Sequence, residues 1–186
     1  MRAFVAIMTS PHPALEICHR SLSSLGGGVK AVLPANMHLT LKFIGETALR
    51  PSDILQVLER ACSAHPRFVL GPSGAGAFPN WSRPNIVWIG LGEARPCEEL
   101  ARSIEDELSS SFSIPEETRP FSPHLTLARV KGPARTSDLR MIADEACRSL
   151  MEGGYVVSVD DVHLMGSRLT PCGPVYETLG KVPLGG

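Results

Sequence analysis

His38-Leu39-Thr40-Leu41-Lys42-Phe43 decides how this chain is read, because its pattern returns 86 positions later as His124-Leu125-Thr126-Leu127-Ala128-Arg129. Both copies alternate polar and apolar residues, the period of two that belongs to a β-strand with one face on a core. The alternation predicts Leu39, Leu41, Phe43, Leu125 and Leu127 facing inward. His38, Thr40 and Lys42 then share the other face of one strand, and His124 and Thr126 that of the second. Each strand presents an imidazole and, one pleat along, a hydroxyl. The setting repeats too: a proline precedes each histidine (Pro34, Pro123), and a helical pattern follows each strand. The plain alternative is two amphipathic strands that happen to expose a His and a Thr. With only six histidines in 186 residues, the repeated word favours function.

Working outward from the first copy, residues 3–8 (AFVAIM) predict a short central strand. Thr9-Ser10-Pro11 supplies an N-cap and a first-turn proline for a helix over 12–25, which Gly26-Gly27-Gly28 ends. A brief strand over 30–33 leads into the motif. Pro51-Ser52-Asp53 opens a second helix with the stripe Ile54, Leu55, Val57, Leu58 and Ala61. Residues 67–70 (RFVL) read as a strand, a Gly/Pro-rich loop runs to Pro84, and 86–91 (IVWIGL) read as a buried strand. A third helix over 96–112 turns Leu100, Ile104 and Leu108 inward. Beyond the second motif strand, Ser137-Asp138 caps a fourth helix that Gly153-Gly154 stops. Residues 155–159, 162–165 and 175–179 read as strands, with a turn-rich connection over 166–174. Residues 1–186 read as one domain. Each half has strands and two helices around one His-Thr strand, which predicts a pseudo-duplicated α+β protein whose motif strands face a shared cleft.

Composition excludes some classes of function. The chain is 43% hydrophobic and 20% charged with a formal net charge of -1, so a nucleic-acid partner needs a local basic patch rather than the field of the whole molecule. Five scattered cysteines (Cys18, Cys62, Cys97, Cys147, Cys172), with no Cys-x-x-Cys spacing, point to reduced thiols in a cytoplasmic protein. The N-terminal apolar run is too short for a membrane span or a signal-peptide core.

Two histidines across a cleft can do acid–base chemistry without a metal, one accepting a proton while the other donates. In-line displacement at phosphorus suits the pair. A water loses its proton on one side of the phosphorus, and an alkoxide gains one on the other. Thr40 and Thr126 can donate hydrogen bonds to non-bridging oxygens, and Lys42 adds a cation on the same face. Strict alternation sends Arg129 to the opposite face. It reaches the cleft only if the strand ends, twists or bulges near Ala128, and a surface or lobe-packing Arg is the alternative. Two His and two Thr make a poor zinc ligand set, and neither motif brings a third ligand on its own face, so no metal is expected. His12, His19 and His65 read as surface residues and His163 as structural. Trp81 and Arg83, in the loop over 79–84, could stack on a terminal base, with packing as the alternative use of Trp81.

The doubled motif and its surroundings resemble the two-histidine (2H) phosphoesterase superfamily. Within it they resemble the RNA 2′,3′-cyclic phosphodiesterases of bacteria and archaea, formerly called 2′-5′ RNA ligases. RAFVAI, NMHLTLKFIGE, GAFPN followed by RPNIVWIGL, RPFSPHLTLARV and SRLTPCGPVYETL look like that family's blocks in order. The resemblance implies a bilobal, pseudo-twofold α+β fold, two antiparallel sheets flanking a central cleft with helices outside. It implies a cleft lined by His38, Thr40, His124 and Thr126, with Arg129 near the phosphate. The implied reaction is hydrolysis of a 2′,3′-cyclic phosphate to a 2′-phosphomonoester without metal or cofactor. His38 would donate the proton and His124 would activate water, an assignment that the pseudo-symmetry leaves open. The implied partners are RNA 3′ ends or nucleotides bearing the cyclic phosphate, tRNA fragments among them, met by a monomer away from membranes. Reversal would join a 5′-hydroxyl RNA through a 2′-5′ bond, with water at bulk concentration favouring hydrolysis. The rival reading is a module that binds such ends without turning them over.

Overall fold

The computed structural model describes residues 1–170 and 173–185, so Cys172 lies outside the described residues. The chain runs β1 (Arg2–Met8), α1 (Pro13–Ser23), β2 (Val29–Ala31), a 3₁₀ turn (Pro34–Asn36), β3 (His38–Glu46), α2 (Pro51–Cys62), β4 (Phe68–Leu70) and β5 (Pro72–Phe78). It continues through β6 (Ile86–Leu91), α3 (Arg95–Phe112), β7 (His124–Val130), α4 (Thr136–Glu152), β8 (Val157–Val159), β9 (Asp161–Thr170) and β10 (Gly173–Pro183). Strands β10-β9-β1-β3 form one antiparallel sheet, β2-β7-β6-β5 a second, and β4 pairs with β8.

The two sheets do not correspond to the two halves of the sequence. The first sheet takes strands from both ends of the chain and packs on α2 and α3, while α1 and α4 pack on the second. Local periodicity identifies a strand but carries no information about its partner, so this interleaving had no signal in the pattern. β1 is central and buried on both faces from Ala3 to Ile7, which is why it reads as an unbroken apolar run. One continuous core joins both sheets and all four helices, through Leu15, Ile54, Leu58, Ile89, Leu100, Ile104, Leu125, Leu127 and Leu150 among others.

Several local expectations are corrected. α1 begins at Pro13 and is capped by His12, whose Nδ1 accepts from the Ala14 N–H at 3.2 Å, not by the Thr9-Ser10 pair. α4 starts at Thr136 with no side-chain cap bond. Residues 72–78, expected as part of a loop, form β5 because they pair with β6 and supply the second sheet's edge. The expected connection over 166–174 is strand as far as Thr170 and again from Gly173, because β9 and β10 pair past the end of β1. His12, His19 and His65 are half-buried: His12 stands edge-on to Tyr155, His19 Nδ1 bonds the Val32 carbonyl, and His65 Nε2 bonds Ser103. Cys18, Cys62, Cys97 and Cys147 are buried free thiols, and burial pushes the first three up to about 12, far from the reactive thiolate. No helix among the described residues is long and apolar enough to cross a membrane.

The two motif strands break alternation at the same place. In β3 the register against β1 passes from Ala6↔Thr40 to Val5↔Lys42, so Leu41 is an extra residue. In β7 the register against β6 passes from Trp88↔Thr126 to Val87↔Ala128, so Leu127 is extra. A bulge of one residue exchanges the faces of everything beyond it. Lys42 and Phe43 therefore lie opposite to expectation: Lys42 is 2% exposed on the core side and Phe43 is 53% exposed on the face of His38. The Lys42 ammonium is bonded to the Glu105 carboxylate of α3 and to the Pro115 carbonyl, which makes its burial tolerable.

Candidate active site

Each motif histidine is the first residue of its strand, and each is held by the chain just before it. The ring of His38 meets the Asn36 carbonyl through Nδ1 at 2.7 Å, and that of His124 meets the Ser122 carbonyl through Nδ1 at 2.6 Å. A carbonyl only accepts, so Nδ1 carries the hydrogen in both rings and Nε2 remains as the acid–base atom. The two strands begin with the same device: a turn or proline segment places a carbonyl two residues before the imidazole.

Aromatic rings set the orientation. His38 lies between Phe4, at 4.9 Å between centroids, and Tyr176, edge-on at 5.3 Å. His124 lies against Phe78, edge-on at 5.1 Å, and Trp88, at 6.0 Å. The Trp88 ring lies across Gly76, where any Cβ would collide with it. Burial pushes both imidazoles below their ordinary value, and the Asn36 and Ser122 carbonyl bonds pull each partly back. His38 is lowered further by the charges of Arg129 and then His124. Those charges come from the other sheet. β3 and β7 lie against each other, bringing the two motifs to one cleft.

Thr40 and Thr126 are half-buried on the same faces as their histidines, and neither hydroxyl has a protein hydrogen-bond partner among the described residues. Arg129 is on the cleft face because the bulge at Leu127 turns it there, resolving the conflict with strict alternation. It is exposed and makes no ion pair among the described residues. The structure therefore brings His38, Thr40, His124, Thr126 and Arg129 together and leaves Lys42 outside, its ammonium spent on Glu105 beneath the sheet. Phe43 occupies the place in β3 that Arg129 occupies in β7. Trp81 lies instead toward α4, in a groove with Arg140 and Met141. His163 bonds Asp161 at 2.8 Å, within a late strand.

Sequence reasoning missed Phe4, Tyr176, Phe78 and Trp88 as neighbours of the histidines, and Phe43 as the exposed ring beside Phe4. Phe43 follows the first motif in β3, and the others come from β1, β10, β5 and β6. Only pairing brings them to the imidazoles. Among the described residues no three His, Cys, Asp or Glu side chains gather as metal ligands. The arrangement offers two acid–base groups of matched tautomer, two free hydroxyls and one unpaired guanidinium, the set that binds and works on a phosphoryl group.

Two antiparallel sheets with helices outside and a histidine pair in the cleft define a 2H phosphoesterase fold. The chain belongs to the 2′-5′ RNA ligase superfamily, whose sequence model matches residues 12–169. It is 35% identical to an RNA 2′,3′-cyclic phosphodiesterase of Aeropyrum pernix over 167 residues, covering 87% of this chain and 90% of the relative. It is 36% identical to one of Methanothermobacter thermautotrophicus over 162 residues, covering 86% and 84%. Among solved structures, TT0787 of Thermus thermophilus superposes with a TM-score of 0.79 at 28% identity, covering 99% of this chain and 98% of that one. The apo form of Escherichia coli LigT shares the fold, with a TM-score of 0.70 at 23% identity over 100% and 98% of the two chains.

Proposed function

We propose that this chain hydrolyses RNA 2′,3′-cyclic phosphate ends to 2′-phosphomonoesters, with His38 and His124 as a metal-free general acid–base pair. One observation carries the reading. Two imidazoles open strands of different sheets that pack against each other, and each is fixed through Nδ1 by a carbonyl two residues earlier, which leaves both Nε2 atoms for proton transfer. The names of the relatives, RNA 2′,3′-cyclic phosphodiesterases, point to the same chemistry.

In the proposed step His124 Nε2 takes a proton from water as the water oxygen bonds to phosphorus. The P–O3′ bond breaks opposite, and O3′ takes the proton from His38 Nε2. Water is added across one P–O bond, and the histidine pair has exchanged protonation states. Burial and Arg129 make protonated His38 a stronger acid, and the bound anion offsets the Arg129 charge so that His38 can hold its proton until transfer. Arg129, Thr40 and Thr126 bind the non-bridging oxygens, where negative charge develops. Exposed Phe43, 6.1 Å from the Phe4 ring that packs on His38, is positioned to stack on the terminal base. With a 5′-hydroxyl in place of water, the same displacement of O3′ joins the two ends through a 2′-5′ bond.

The test is incubation with a 2′,3′-cyclic nucleotide in the presence of chelator. The expected result is a 2′-monophosphate, abolished in His38→Ala and in His124→Ala. Activity lost to chelator and restored by zinc or manganese would replace the mechanism with a metal one. Binding without product would make the protein a module for phosphorylated RNA ends.

A further inference from the structure

Beyond β7 the second sheet carries one more strand, β2, whereas the first sheet ends at β3. Lys30 of β2 is the direct cross-strand partner of Arg129. Residues opposed in an antiparallel ladder project from the same face with neighbouring side chains, so Lys30 stands on the cleft face beside Arg129. The flanking pairs Val29↔Val130 and Ala31↔Ala128 project into the core, which confirms the parity. Both cations are exposed, and neither has a carboxylate partner among the described residues. Like charges directly opposed disfavour the sheet. Among the described residues no carboxylate forms an ion pair with either cation, so an anion from outside would offset the pair.

Arg129 stands on the motif strand itself and Lys30 one strand outward, at the sheet edge, so Lys30 lies farther from the reacting phosphorus. The two flanks of the cleft thus differ. β3 presents exposed Phe43, while β7 and β2 present two adjacent cations. Resting on the proposed cyclic-phosphate reading, we infer that Lys30 forms a second phosphate subsite, holding the phosphodiester on the 5′ side of the terminal nucleotide while Arg129 holds the cyclic phosphate. The subsite favours an RNA chain, or any nucleotide with a 5′-phosphate, over a bare cyclic mononucleotide. A lysine ammonium, as a compact point charge, suits a phosphate that is bound without being reacted on.

The experiment compares three substrates: adenosine 2′,3′-cyclic phosphate, the same nucleotide with a 5′-phosphate, and a dinucleotide ending in the cyclic phosphate. The parent protein should show a lower KM for the latter two. Lys30→Ala should raise KM for those two by about three- to tenfold with kcat unchanged, and Lys30→Arg should restore it. The log–log salt slope of dinucleotide binding should shrink by about 0.7, one lost phosphate contact on a single strand. The bare cyclic nucleotide should be turned over equally by parent and variant, which also reports intact folding. Equal losses on all three substrates, or no loss on any, would overturn the subsite while leaving the catalytic reading in place. A parent that turns over all three but shows no preference for the 5′-phosphate overturns it too. Failure to hydrolyse any of them would overturn the catalytic reading itself and the subsite with it.

Discussion

Replacing Lys42 by methionine tests where its ammonium works. The side chain is 1% exposed, against 23% for Glu105, and it satisfies both that carboxylate and the Pro115 carbonyl. Methionine fills a similar volume but leaves Glu105 and the carbonyl without their donor. Breaking a buried pair from one side costs about 3–5 kcal/mol. Here Glu105 keeps the Glu117 N–H at 2.7 Å and some water, which brings the figure to roughly 2–3 kcal/mol. For a chain of this size that is a fall in Tm of roughly 4–12 °C. Lys42→Met with Glu105→Leu should recover much of the loss, because the remaining charge goes with its partner. Burial pushes the Glu105 carboxyl up, but the Lys42 bond, the Glu117 N–H and the Lys42 charge together outweigh it and hold the group below its ordinary value. Its contribution is therefore full above the ordinary glutamate range and is lost as pH falls through the lowered value. The Tm gap between parent and Glu105→Gln should narrow in acid. Calorimetric melts at pH 7 and in acid, with kcat/KM on a cyclic nucleotide, check this. A Lys42→Met protein that melts within about 2 °C of the parent yet loses a hundredfold or more in kcat/KM would refute the reasoning, since the ammonium would then be acting on phosphate.

The pH profile of kcat/KM should be a bell lying on the acid side of the ordinary imidazole value, because both rings are lowered, and its limbs belong to the pair jointly. Arg129→Gln removes a positive neighbour from His38, so the His38 ring should titrate at higher pH, read by NMR; an unmoved titration would show that Arg129 faces away. Thr40→Val and Thr126→Val should each slow turnover by roughly ten- to a thousandfold with stability little changed, and single-turnover rates equal to the parent's would reduce both hydroxyls to strand residues.

The motif alternation made His38, Thr40, His124 and Thr126 legible, because a two-residue period depends only on which side chain follows which. It stopped being reliable at Leu41 and Leu127, where pairing with β1 and β6 inserts an extra residue. From there it misplaced Lys42 and Phe43, and Arg129 could not be assigned a face. The four helices were legible, α2 and α3 from their apolar stripes and α1 and α4 from the turn residues and glycines that bound them. The interleaving of β9 and β10 with β1, the pairing of β5 with β6, and the aromatic walls around each histidine were not. The sequence by itself determined that two His-Thr strands exist and which family they resemble. Tertiary structure decided that Arg129 and Lys30 flank one side of the cleft, that Phe43 flanks the other, and that Lys42 lies beneath it. The physical reason is that register and sheet order arise from contacts between residues far apart in the chain, and the local pattern does not encode them.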